Sequence, residues 1–255
     1  MIAPLGVVLL WSKLGPAALF VLPLLHLPIV YATLNPSSQW LGPVVTRFPA
    51  VTKSVWLTFD DGPHPADTPR ILDLLDQHGA RATFFVKGTS VEKHPEIARA
   101  IMARGHTLGN HSATHPSATF WALPPRRIAS EIDRCSDAIE RATGARPTLF
   151  RAPVGMKNPF VHPLLDERGM RLIGWSARGY DGVKTAPELA VQRIMRNVEP
   201  GTIILAHEGR TTADGTAVNV EMLELLLEAL SEKGYVAVIP TRDELMEPGQ
   251  TAPAL

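Results

Sequence analysis

A parallel α/β fold, barrel or open sheet, is the architecture this sequence predicts. The first observation behind it is repetition. From Val55 onward, short apolar runs alternate with amphipathic segments about seven times, the pattern of strands buried in a parallel sheet and helices packed over it. The second is punctuation: Gly79, Gly105, Gly144, Gly169 and Gly234 each close an amphipathic stretch, where a helix favours a left-handed residue. The third is placement. The residues able to do chemistry follow the apolar runs, and in either form of the fold sites collect at the carboxyl ends of the strands.

Taken in order, strands are expected near 55–59, 82–86, 107–109, 148–150, 171–175, 202–206 and 235–239. Helices are expected near 67–79, 95–104, 124–143, 158–169, 186–198 and 217–233. Within the third helix Ile128, Ile132, Cys135, Ile139 and Ala142 share one face, so the single cysteine reads as core packing. One cysteine forms no internal disulfide, and the redox compartment is not legible from it.

Ahead of this pattern lies a different kind of segment. Lys13 is the only charged side chain between residues 2 and 34, and Leu14 to Leu34 has the length of a bilayer span. Pro16, Pro23 and Pro28 would kink such a helix. The expected organisation is a membrane anchor over 1–34, transmembrane or re-entrant, then a linker over 35–53, a catalytic domain over 54–246 and a tail over 247–255. A single span with Lys13 inside directs the domain to the periplasm or outside of a bacterial inner membrane; a re-entrant hairpin would leave it on the cytoplasmic face. The formal net charge is zero, which argues against a nucleic-acid partner held by a basic face. No protein partner is predicted.

Five places carry candidate chemistry. Val55-Trp56-Leu57 runs into Thr58-Phe59-Asp60-Asp61-Gly62-Pro63, two adjacent acids followed by a turn signal. Two carboxylates that close stay ionised only beside a cation, a metal ion or an arginine; the alternative is a simple turn cap. His111 and His115, four apart, can face one metal ion from a helical turn, leaving positions open for water and substrate if one carboxylate joins them, or they can be core packing. Arg151 follows the strand Thr148-Leu149-Phe150 and is a surface ion-pair partner or the partner of a buried aspartate. His207 ends the apolar run from Ile203. Trp175 reads as wall or core, and Asp181 as a group able to orient a charged neighbour. Every one sits just past a predicted strand, hence at one end of the fold.

Together these motifs resemble the polysaccharide deacetylase family, the NodB-homology or carbohydrate esterase family 4 domain. T-F-D-D-G-P is complete at Thr58 to Pro63 and H-S-x-x-H at His111 to His115; the likeness covers about residues 53–240. The resemblance implies a distorted (β/α) barrel with fewer than eight strands, in line with the seven counted. It implies Asp60 as catalytic base, Asp61, His111 and His115 as metal ligands, Arg151 as the partner of the base and His207 as general acid. Leu205 would line the pocket for the acetyl methyl, and the Val154 N–H would help to bind the oxyanion. Two departures stand out. Val154 occupies a position where the family usually has tyrosine. The fourth motif, D-x-x-D-W, is replaced by Arg178, Asp181 and Gly182, with one acid and no tryptophan, which points to a changed substrate.

The function expected from this resemblance is metal-dependent removal of N-acetyl groups from an amino sugar in an envelope polysaccharide or lipid-linked glycan. Zinc suits two imidazoles and a carboxylate, and cobalt, nickel or iron would fit too. The alternatives are a related O-deacetylase, deformylase or other amide hydrolase, or a non-catalytic membrane-bound glycan-binding protein.

Overall fold

The computed structural model describes residues 18–181, 185–209 and 218–245, together with the isolated positions Trp11 and Gly15. Eight parallel strands carry the fold: β1 (Ser54–Gly62), β2 (Ala82–Val86), β3 (Thr107–Asn110), β4 (Leu149–Phe150), β5 (Arg171–Leu172), β6 (Ala177–Arg178), β7 (Ile203–His207) and β8 (Val236–Ala237). Their order is β5-β4-β3-β2-β1-β7-β6, with β8 pairing the start of β1. The helices are α1 (Ala18–Leu34), α2 (Asp67–Gln77), α3 (Gly88–Lys93), α4 (Pro95–Ala103), α5 (Pro125–Thr143), α6 (Val161–Asp166), α7 (Pro187–Met195) and α8 (Val218–Glu232). The chain is thus a parallel α/β partial barrel. All seven expected strands and the six expected helices after residue 53 form. Two elements are additional, β6 and α3: a two-residue strand and a six-residue helix are too short to show periodicity. All five helix-closing glycines have positive φ, Gly144 at 77° directly after α5.

Alternation along β1 builds two cores. Val55, Leu57 and Phe59 face the helices and join Ile71, Leu75, Phe84 and Leu226. Trp56 points inward with Phe85, Ile203 and Leu205. Successive residues of a strand face opposite ways, so one strand serves both layers. Cys135 is buried on α5 against Val86, and burial pushes its thiol up to about 12, consistent with packing.

No strand pairing joins β5 to β6. That opening is filled by residues expected to be a linker. Val45 makes a parallel bridge to Ile173 and Arg47 an antiparallel bridge to Thr202. Val45 N–H donates to the Leu172 carbonyl at 3.0 Å, and Phe48 N–H to the Gly201 carbonyl at 3.0 Å. Val44 and Phe48 are buried, so this part of 35–53 is built into the barrel.

The expected membrane span is not found in the structure. Among the described residues no helix is long and apolar enough to cross a membrane. Helix α1 covers 17 of the described residues, Ala18–Leu34; the start of the expected span at Leu14 lies outside them. Its last turn is docked on the domain: Ala32 and Thr33 are buried, and the buried Lys157 ammonium donates to the Asn35 carbonyl at 2.9 Å. Most of residues 1–17, and the tail 247–255, lie outside the described residues.

Candidate active site

Register brings the expected site residues to one level. Asp60 on β1 is the pairing partner of His207 on β7 and of Phe85 on β2. Asn110, which ends β3, pairs both Val86 and Phe150. His111 and Arg151 therefore leave adjacent strand ends beside Asp60, with strands about 4.8 Å apart.

Adjacent residues on a regular strand could not serve one site. Here Asp60 pairs Phe85 while Gly62 already pairs Val86. Asp61 is the extra residue of a bulge, with φ at 74°. A bulge re-aims one side chain, and this one lets both acids reach the same mouth. Gly62 is needed beside it, because the Glu208 carboxylate occupies the place a β-carbon would take.

The three candidate ligands converge. One donor atom from each of Asp61, His111 and His115 lies within 4.8 Å of the others. His111 Nδ1 is 2.8 Å from the Arg151 carbonyl. As a donor there it leaves the Nε2 lone pair for a cation, the usual support of a metal-bound imidazole. His115 is pushed down to about 4, by burial first and then by His111, and is neutral near pH 7. Burial works to raise the Asp61 carboxyl, but His111, His115 and Lys87 outweigh it and hold it below its usual range. Two imidazoles and one carboxylate suit a divalent cation such as zinc. The histidines lie on an irregular loop, not on the helical turn the spacing suggested. Ser112 and His115 have φ of 66° and 53°. Asn110 ties the loop down through the Ser112 N–H at 2.8 Å, and Glu131 through the Thr114 N–H at 2.8 Å.

Asp60 is buried beside this set. Its Oδ1 accepts from Arg151 Nη1 at 2.7 Å, and its Oδ2 lies 3.5 Å from His111 Nε2. Arg151 is itself fully buried. It also donates to Thr58 Oγ1 at 2.8 Å and to the carbonyls of Ile173 at 3.3 Å and Gly174 at 2.8 Å. Its guanidinium carbon rests 4.1 Å from the centre of the Phe85 ring. A buried ion pair is tolerable when its remaining donors are satisfied in this way.

Across the mouth, His207 Nδ1 is 2.9 Å from Asp181 Oδ1, and the His207 N–H donates to Asp181 Oδ2 at 2.9 Å. Burial alone would lower the His207 pKa. The hydrogen bond and charge of Asp181 outweigh it, so His207 sits above its usual range. Asp181 is thus the orienting acid of His207. Val154, at φ 51° and 46% exposed, lies on the rim. Trp175 and Leu205 belong to the buried inner layer.

That cleft has a volume of about 480 Å³ and is lined by Asp61, His115, Val154, Lys87, His64 and Glu208, among others. Three of these, His64, Lys87 and Glu208, escaped the sequence reading. Lys87, 3.8 Å from Asp61 Oδ1, directly follows β2, so the strand-end rule itself could have found it. Glu208 follows His207. Burial pushes its carboxyl up to about 8, and it accepts from the Thr68 hydroxyl.

Comparison with known proteins adds to this geometry. A family model described as polysaccharide deacetylase matches residues 49–173. The chitooligosaccharide deacetylase of Bradyrhizobium sp. (strain ANU 289) is 36% identical over 193 residues, 72% of this chain and 87% of the relative. The structure of peptidoglycan deacetylase PdaC from Bacillus subtilis has a TM-score of 0.66 and 32% identity, over 76% of this chain and 90% of that one. BA3943 from Bacillus anthracis, described as a CE4 family pseudoenzyme, has a TM-score of 0.69 and 30% identity, over 76% and 66% of the two chains. Sequence, fold and the convergence of Asp60, Asp61, His111 and His115 agree: the chain belongs to the polysaccharide deacetylase family, hydrolases of the N-acetyl amide bonds of sugars.

Proposed function

We propose that this chain removes N-acetyl groups from an amino sugar in an envelope polysaccharide or a lipid-linked glycan, with the help of a divalent cation, zinc first and cobalt, nickel or iron as alternatives. The observation that carries the reading is Asp60, an acid outside the three-ligand set but against it, with one oxygen held by Arg151 and the other facing His111. Held by Asp61, His111 and His115, the cation would supply Lewis acidity to the amide carbonyl and to a water.

The chain's own groups do the rest. Asp60 takes a proton on Oδ2 as the water oxygen attacks the acetamide carbon. Charge that develops on the carbonyl oxygen meets the Val154 N–H, which has no acceptor among the described residues. The carbon–nitrogen bond breaks with its electron pair on nitrogen, and His207 gives that nitrogen a proton. Its own Nδ1 is held by Asp181, so the other ring nitrogen is the one turned to the substrate. Acetate and a free amine result.

The names of the relatives support chitooligosaccharide-like or peptidoglycan-like N-acetylglucosamine as the starting panel. We also assign the chain to the bacterial inner membrane, with the catalytic domain on the periplasmic or outer side. Exposed Leu24, Leu27, Ile29 and Val30 on α1 and the uncharged run before Lys13 support this. Membrane fractionation and protease accessibility of the full chain test the location.

The test of the activity is acetate release from N-acetylated glycans by metal-analysed protein. The expected result is one equivalent of acetate per amine formed, lost on chelation and regained with zinc. Formate, or acetate without a new amine, would assign a deformylase or an O-deacetylase instead. Metal binding with no product from any glycan would favour a binding protein.

A further inference from the structure

A second recess, of about 300 Å³, shares no lining residue with the cleft, and the mechanism does not use it. Ser37 and Thr46 line it from the segment that closes the barrel, and Trp175, Arg178, Tyr180 and Asn197 from the barrel itself. Its lining includes one cation and no acid.

Arg178 is the unusual member. It pairs Leu205 on the neighbouring strand, and alternation from Ala177, which packs in the outer core under the helices, puts it on the inner face of the sheet. Its guanidinium carbon lies 4.0 Å from the centre of the Tyr180 ring and 5.8 Å from that of Trp175. These aromatic contacts engage the face of the guanidinium. They leave its five N–H groups, which point out along its edges, for other partners. Among the described residues none of these groups has a hydrogen-bond acceptor, and no carboxylate forms an ion pair with it. Asp181, three residues on, is taken by His207. A second cation, Arg193, stands 5.8 Å from the Tyr180 ring and donates to the Gly179 carbonyl. The recess is therefore electropositive in a chain of zero formal net charge.

Trp175 joins this recess to the reaction centre. Arg151, the partner of the base, lies 5.7 Å from its ring on the inner side. The far edge of the same ring presses on Gly155, next to Val154 on the rim of the cleft. The Trp175 ring is therefore shared between the recess and the rim of the cleft.

We propose that the Arg178 recess binds an oxyanion carried by the glycan, a carboxylate or a phosphate, so that the preferred substrate is an anionic N-acetylated amino sugar. This rests on the deacetylase reading and narrows its substrate. An oxyanion can accept two N–H groups from one guanidinium edge, and the hydroxyls of Ser37 and Thr46 and the amide of Asn197 can meet its remaining lone pairs.

The test compares one N-acetylglucosamine oligomer in three forms: neutral, bearing a sugar phosphate, and bearing an ether-linked carboxylate. The anionic-to-neutral ratio is read twice on the full chain. One reading is kcat/KM for acetate release; the other is Kd by calorimetry with the deacetylated oligomers. The wild type should favour at least one anionic form by about tenfold or more, as charge-assisted bidentate pairing allows. The form favoured identifies the source of the oxyanion. Arg178→Gln should bring both ratios close to one, mainly through KM, and Arg178→Lys should keep an intermediate ratio. A wild type without preference, or a preference untouched by Arg178→Gln, overturns the proposal. If no oligomer yields acetate, the deacetylase reading falls while the Kd ratio still decides the recess.

Discussion

Arg151 and Arg178 flank one tryptophan, and the contrast between them separates two jobs an arginine can do. Arg151 is fully buried and spends its donors on Thr58, Asp60 and two carbonyls. Arg178 is half-buried, and among the described residues it touches rings and meets no acceptor. A saturated guanidinium has nothing left for a ligand and can only position its neighbours. An unsaturated one that lines a recess is still able to bind. The two sides of Trp175 therefore differ: on one an arginine has its donors spent, and on the other an arginine keeps them free for the proposed ligand.

The sharpest way to break that contrast is at the fixed side. Asp60→Asn removes the base but keeps the shape. Turnover should fall by about 10²–10⁴, the usual contribution of a general base, while zinc content by metal analysis stays near one equivalent. A variant that lost its zinc as well would mean that Asp60 helps to hold the ion.

Arg151→Met should cost folding stability more than any change at Arg178. It leaves the buried Asp60 carboxylate without its partner, and breaking such a pair costs about 3–5 kcal/mol. Denaturant titration of both variants checks this. Equal and small losses would show that Arg151 is not the structural member of the pair.

A smaller change is expected in pH dependence. His207 must be protonated to act as the acid, so activity falls as pH rises through its pKa. Asp181 raises that pKa, which carries the alkaline limb of kcat/KM to higher pH. Asp181→Asn should move that limb to lower pH and leave the acid limb, set by another group, where it was. An unmoved alkaline limb would remove His207 from the role of acid.

The catalytic side was largely legible in the sequence, and the recognition side was not. Asp60, Asp61, His111, Arg151 and His207 each follow an apolar run, and parallel strands bring their carboxyl ends together whatever the loops do. Lys87 obeys the same rule and was passed over. Trp175 reads as wall or core; it is buried in the inner layer and lines the second recess. The recess escaped notice because its parts lie far apart in the chain: Ser37 and Thr46 come from a stretch that looked like a linker, and Arg178 from a strand of two residues. Helix α1 shows a related limit. Its composition matches a bilayer span, but its last turn is spent on the domain through Thr33 and Lys157.

What the sequence determined by itself was the alternation of strands and helices, the identity of the chemical groups and the end of the fold at which they gather. These depend on local periodicity and on residue order, which are written along the chain. Tertiary structure alone decided that Asp61 sits on a bulge and so shares a site with Asp60. It also decided that Val45 and Arg47 bridge the open side of the barrel and that one arginine is saturated while the other is not. Each of these is a matter of which backbone and side-chain groups meet across the sheet, and no stretch of sequence carries its partner's position within itself.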